Sequence, residues 1–139
     1  MEQPKGLKLD FSSAPTVAGF FNSNAFVRGL MGPVGSGKSY ACCAEIFRRA
    51  VQQRPSPRDG IKYSRFAIVR NTHPMLRTTT LKTWLELLPE ATWGPVKYAP
   101  PITHHIKLPP RDGAAGIDME VIFLALDDPK DQRKVLSLE

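Results

Sequence analysis

The sequence predicts an α/β fold, a mainly parallel central sheet flanked by helices with a β-hairpin excursion, and three observations predict it. An apolar run, Ala25-Phe26-Val27 and then Leu30-Met31, stops at a glycine-rich loop as a buried strand does. That loop, Gly32-Pro33-Val34-Gly35-Ser36-Gly37-Lys38-Ser39, matches the pattern G-x-x-x-x-G-K-[ST] and opens a helical repeat. A second apolar run, Phe66-Ala67-Ile68-Val69, has the character of a strand covered on both faces of a parallel sheet. Strand, loop, helix and strand make a βαβ unit.

The loop is the strongest chemical signal in the chain. Its glycines let backbone N–H groups close around a β-phosphate, the Lys38 ammonium brings positive charge to the β and γ oxygens, and the Ser39 hydroxyl is suited to Mg²⁺. At average residue usage, four fixed positions match by chance in roughly 0.5% of chains of this length, so the match carries weight. The plain alternative is a glycine-rich turn with an incidental lysine. Pro33 speaks against it, because proline stiffens the loop while removing a donor the phosphates need not use. The expected nucleotide-binding set is therefore Gly32, Pro33, Val34, Gly35, Ser36, Gly37, Lys38, Ser39 and Tyr40, with ATP and Mg²⁺ as the ligands.

Length and composition bound the rest. The 139 residues suit one domain, divided into a leading segment, 1–24, and a core, 25–139. A formal charge of +6 points to a polyanionic partner, nucleic acid before others. Cys42 and Cys43 are neighbours that cannot form an ordinary disulfide; they read as small core hydrophobes in a reducing compartment. With no charged-then-apolar leader, and no apolar run near the eighteen or so residues of a membrane span, the expected setting is soluble, cytoplasmic and without a membrane partner. Lys134 to Glu139 read as a structured segment cut short.

Along the chain, Met1 to Asn24 shows no clean period, and Leu7, Leu9, Phe11, Val17, Phe20 and Phe21 are its apolar anchors. Phe11 or Phe20 is placed either to cover an adenine or to pack on the sheet edge. After the loop, Tyr40, Ala44, Phe47 and Val51 recur at helical spacing with Cys43 and Ala50, while Glu45, Arg48, Arg49 and Gln52 face the other way. The helix N-terminus at the loop adds unpaired amides and its dipole to the attraction for phosphate. Arg54 to Gly60 is a connection, and Thr72-His73-Pro74 starts a second helix lined by Leu81, Trp84, Leu85 and Leu88 up to Pro89. The prolines from Pro89 to Pro101 are expected to exclude regular structure, with Trp93 tucked on the core. Ile102, His104, Ile106 and Leu108 alternate as a half-buried strand, and Ile117 to Leu126 returns as a second after a long turn. His104 and His105 point to opposite faces of that strand, which rules out both rings sharing one metal without distortion.

A phosphate-loop enzyme also needs an acid at the end of an apolar strand to hold Mg²⁺. Val121 to Leu126 followed by Asp127-Asp128 has that shape, and either aspartate is a candidate ligand beside Ser39. The competing account makes Asp128 the cap of a helix beginning at Pro129, with Asp131 strengthening its N-terminus.

Three stretches, Leu30 to Cys43, Phe66 to Thr72 and Leu76 to Trp84, resemble the N-terminal ATPase domain of phage terminase large subunits, and the likeness runs from Ser12 to Glu139. The resemblance implies a P-loop NTPase of the ASCE type, ATP hydrolysis with Mg²⁺, and translocation of double-stranded DNA into a capsid. It also implies a homo-oligomeric ring on the portal protein, a small terminase subunit as partner, the host cytoplasm as location, and a separate nuclease domain that this stretch lacks. By that alignment the Walker B acids fall beyond Glu139, so slow hydrolysis is expected of this stretch alone. The family uses arginines near the nucleotide, one of them reaching a neighbouring subunit's site; Arg70 at a strand end and Arg77 on the next helix match by position, and join Lys38 as the implied catalytic set. Two rivals share the loop: a helicase-like nucleic-acid motor, and an assembly module that binds ATP without turnover.

Overall fold

The computed structural model describes residues 15–34 and 36–137; Leu7, Leu9, Phe11 and Gly35 lie outside them. In chain order the elements are α1 (Pro15–Asn22), α2 (Lys38–Val51), β1 (Lys62–Arg70), a composite helix α3 (His73–Met75, a π turn Leu76–Thr80, and Leu81–Leu87), the one-turn α4 (Glu90–Trp93), β2 (Val96–Lys97), β3 (Ile102–Leu108), β4 (Ile117–Ala125) and α5 (Pro129–Leu136).

The four strands form one sheet in the order β1-β4-β3-β2. β1 and β4 pair in parallel from Lys62 opposite Ile117 to Arg70 opposite Ala125, while β3 runs antiparallel to both β4 and β2. The expectation of a mainly parallel sheet is thereby corrected: the sheet is mixed, with a single parallel pair. The cause is the β3–β4 turn. Arg111 and Ala114 exchange backbone hydrogen bonds of 3.1 and 2.7 Å around Asp112 and Gly113, whose φ of 47° and 78° give the doubly left-handed turn that suits a twisted hairpin. A Cβ on Gly116 would lie 2.8 Å from the Leu108 carbonyl oxygen, so only glycine fits where the strands meet. The hairpin is the body of the sheet, and not an excursion from it.

Burial follows that order. Central β4 is buried throughout Val121 to Ala125, as its apolar run predicts. Phe66 to Val69 on β1 are only half-buried or exposed, because β1 lies at the sheet edge and only one flank is covered. Ile102, His104 and Ile106 are buried on alternate positions of β3 as expected. Ala25 to Met31 is not a strand, and Phe26 is fully exposed at 104% with Val27 and Met31 also outside. An apolar run forms a strand only where a ladder accepts it, and no described strand pairs with this one.

The helices supply the other face of the core. Thr72 accepts from the Met75 N–H and Pro74 sits in the first turn, so α3 starts where the sequence placed it. Leu76, Leu81, Trp84, Leu87 and Leu88 are buried, whereas Leu85 is only partly so. Within α3, the hydroxyls of Thr78 and Thr79 donate to the carbonyls of Pro74 and Met75 at 2.7 and 2.5 Å. Hydroxyls that return to the preceding turn compete with the backbone ladder, which accounts for the π turn there. Trp84 packs edge-on to Phe123 with centroids 6.0 Å apart, and Trp93 meets Phe47 at 5.4 Å, as the tucked loop requires. The stretch between Pro89 and Pro101 nevertheless holds α4 and β2: Pro89 precedes the helical turn, where its missing N–H costs nothing. Ala41, Cys43, Ala44 and Ala50 form the buried face of α2. Cys43 fits the small-hydrophobe reading, its thiol pushed up to about 12 by burial and then by Cys42, but Cys42 is exposed.

Candidate functional site

The loop closes on itself through its lysine. Lys38 Nζ donates to the carbonyls of Gly32 at 2.6 Å and Pro33 at 2.7 Å and to Ser36 Oγ at 3.2 Å, using all three of its protons. Gly32 is where this closure demands the absence of a side chain: an added Cβ would stand 2.9 Å from Ser36 Oγ. Gly37 takes φ 80° and ψ 14°, left-handed geometry that glycine adopts at no cost, and its carbonyl receives the Ala41 N–H at 2.9 Å as α2 begins. The first-turn amides of α2 therefore emerge at the loop, and the Ser39 hydroxyl is exposed beside them. Pro33, Val34 and Ser36 are exposed and Tyr40 is half-buried.

This donor set fits a magnesium-bound triphosphate. A tight bend without side-chain bulk at Gly32 and Gly37, an ammonium on the loop, the first-turn amides of α2 and the exposed Ser39 are groups of the kind such a ligand's charged oxygens and metal need. At its other end α2 is pinned by Lys62 Nζ, which donates to the Val51 carbonyl at 2.6 Å.

The acids after β4 gather where β1 and β4 end together. There the Leu126 N–H donates to Arg70 O at 2.9 Å and the Asp127 N–H to Asn71 O at 3.1 Å. Asp127 accepts from the His73 N–H at 3.1 Å and so caps α3 from another part of the chain. Asp128 accepts from the Lys130 N–H at 2.9 Å ahead of Pro129, which is the helix-capping account. Asp131, buried, accepts the Ala125 N–H at 2.8 Å and lies 3.8 Å from His73 Nε2. His73, Asp128 and Asp131 each present one ligand atom within 4.8 Å of the others. Both aspartates flagged by the sequence are thus present at the sheet's C-terminal edge, each with a backbone donor to serve.

The two arginines occupy different surroundings. Arg70 ends β1, and its Nε is buried with no hydrogen-bond partner. Arg77, on the π turn, opens with Thr78, Leu81, Lys82, Leu85 and Tyr98 onto a groove of about 840 Å³. Phe20 does not stand free to cover an adenine, since the Arg28 guanidinium lies over its ring 4.6 Å from the centroid. His104 and His105 do face apart: His104 is buried between Trp84 and Gly94, and His105 pairs with Asp118 at 2.5 Å.

Sequence reasoning set Glu45 on the polar side of α2, yet it is only 5% exposed. Its carboxylate is 2.6 Å from Arg49 Nε, 3.0 Å from Arg28 Nη1 and 3.3 Å from Arg48 Nη1. Burial alone raises its pKa; hydrogen bonds from Arg49 and Arg28 and the charges of Arg28 and Arg48 reverse this and hold the carboxyl below its ordinary range. The helical spacing of Glu45 to Arg48 and Arg49 was a readable signal for part of the cluster. Arg28 had none.

Among the described residues, no helix is long and apolar enough to cross a membrane. Comparisons of the chain with protein-family models, with curated proteins and with solved structures find no match, so the functional reading rests on the loop's own geometry.

Proposed function

We propose that this chain is the ATP-binding part of a DNA-packaging motor of the terminase large-subunit kind. The observation that carries the reading is the junction of loop and α2: Lys38 lies at the first position of the helix, its ammonium on the loop carbonyls and Gly37 in left-handed geometry before it. In this reading the loop and α2 amides cradle the phosphates, Lys38 neutralises the β and γ oxygens, and Ser39 ligates Mg²⁺. Bound Mg²⁺ supplies charge neutralisation across the two terminal phosphates. Arg70, with an unpaired buried Nε, and Arg77 are the arginines available for transition-state charge. Double-stranded DNA, the portal protein and the small terminase subunit are the partners, a homo-oligomeric ring the assembly, and the host cytoplasm the location.

The test is calorimetric titration of ATP with Mg²⁺ into wild type and Lys38→Ala. Losing charge-assisted hydrogen bonds worth about 1.5–3 kcal/mol weakens binding roughly 10- to 150-fold. Wild-type affinity in Lys38→Ala refutes the cradle. A second reading, an assembly module that holds ATP without turnover, is favoured by the engagement of Asp127 and Asp128 as helix caps. Phosphate release by the wild-type chain that disappears in Lys38→Ala decides against that module.

A further inference from the structure

Three guanidinium groups meet over one carboxylate on the flank of α2. Arg28, Arg48 and Arg49 surround Glu45, whose single negative charge leaves a formal surplus of two positive charges at this point. The charges are layered. Glu45 is buried, and the three arginine side chains over it are 18–32% exposed. Each guanidinium is also held by a second contact: Arg28 Nη1 donates to Phe20 O at 2.8 Å, Arg49 Nη2 to Ser23 O at 3.1 Å, and Arg48 lies over the Phe21 ring at 5.8 Å.

One such partner would suffice to neutralise a buried carboxylate; three make it a template that orients planar forks at the surface. A guanidinium carries five donors, and Arg48 commits only Nη1 to Glu45. Orientated forks with spare donors and excess charge match the tetrahedral oxygens of phosphate, and they do so better than flexible lysines. Glu45 stands seven residues after Lys38, about 10 Å along the helix axis, so the patch is beside the loop and separate from it.

We propose that Arg28, Arg48 and Arg49 form a contact site for the backbone phosphates of double-stranded DNA, with Glu45 beneath as the group that positions them. This deepens the packaging-motor reading and rests on it for the choice of duplex DNA as the polyanion; the net charge of +6 is consistent with such a partner. Contacts of this kind bind without reading base sequence.

The test is fluorescence anisotropy of a labelled DNA duplex across a range of NaCl concentrations. Each lost phosphate contact lowers the slope of log K against log salt by about 0.9, so Arg48→Gln is expected to show that reduction. Arg48→Lys, which keeps the charge, holds the wild-type slope, and so does Arg111→Gln on the exposed hairpin turn. An unchanged slope in Arg48→Gln overturns the site, as does an equal reduction in Arg111→Gln, or a duplex that does not bind. Should Arg48→Gln lose its circular dichroism, phenylglyoxal modification of the wild-type chain read by mass spectrometry replaces it. Duplex must then protect Arg48; equal modification with and without duplex, or equal protection by inorganic phosphate alone, overturns the site. ATP titration of the same samples separates the two readings: ATP binding with an unchanged slope sinks only this site, and a reduced slope without ATP binding sinks only the nucleotide reading.

Discussion

Acidification from pH 7 to pH 5 is expected to weaken the fold through one buried ring. His104 is fully buried; its Nδ1 accepts the Trp84 Nε1–H at 2.8 Å and its Nε2 lies 2.9 Å from the Gly94 carbonyl. These partners specify one tautomer, proton on Nε2 and lone pair on Nδ1. Burial lowers the ring's pKa, outweighing the Gly94 bond and the charge of Glu90, both of which raise it. A second proton would also set Nδ1–H against the indole N–H. The folded ring therefore stays neutral below about pH 6.5, where the unfolded chain's histidine takes up a proton. Because the unfolded state binds more protons there, stability falls as pH falls, by at most about 1.4 kcal/mol per unit. Over the interval from pH 6.5 to pH 5 the ceiling is about 2 kcal/mol. Glu45, whose carboxyl pKa is lowered, loses its contribution only at more acid pH, below this window. Urea denaturation at pH 7, 6 and 5 measures the loss. His104→Gln is the control, since its amide offers an acceptor and donors but does not titrate. A His104→Gln protein whose stability falls with the same slope as wild type refutes the reasoning.

Two further substitutions test the architecture around the site. Asp128→Ala removes the cap on the Lys130 N–H and is expected to cost about 0.5–2 kcal/mol in urea denaturation, with α5 exchanging its amides faster; unchanged exchange there contradicts the capping account. Gly116→Ala drives a Cβ to 2.8 Å from the Leu108 carbonyl oxygen and should cost about 1–3 kcal/mol, as overpacking does; a neutral result shows the hairpin closing with more room than described.

What the sequence made legible was whatever depends on spacing alone. The G-x-x-x-x-G-K-[ST] spacing marks where α2 begins, because Gly37 and Lys38 have little freedom in that order. Alternation exposed β3, and the unbroken run from Val121 to Ala125 exposed the strand at the sheet's centre. The same kind of run failed at Ala25 to Met31, because hydrophobicity reports a wish for burial and says nothing of a partner strand. Phe66 to Val69 differs in a milder way: its apolarity suits two covered faces, and the edge position supplies less cover. Helical period sets Glu45 outside, because it reports only its own helix and carries no trace of Arg28 arriving from the segment before the loop. Asp127 capping α3 across the sheet is likewise a tertiary event with no local trace.

The self-contained grip of Lys38 on Gly32, Pro33 and Ser36 sets an entry threshold for whatever approaches the loop. A weakly coordinating visitor such as chloride offers one diffuse charge in exchange for three oxygen partners and gains little by the trade. A chain of phosphoryl groups, the ligand proposed for this loop, would offer several hard oxygens at once to replace the Gly32 and Pro33 carbonyls and Ser36 Oγ as acceptors of the ammonium's protons. Under the proposed nucleotide reading, the resting contacts would act as a filter on anions, discriminating by denticity before any shape recognition of base or sugar begins.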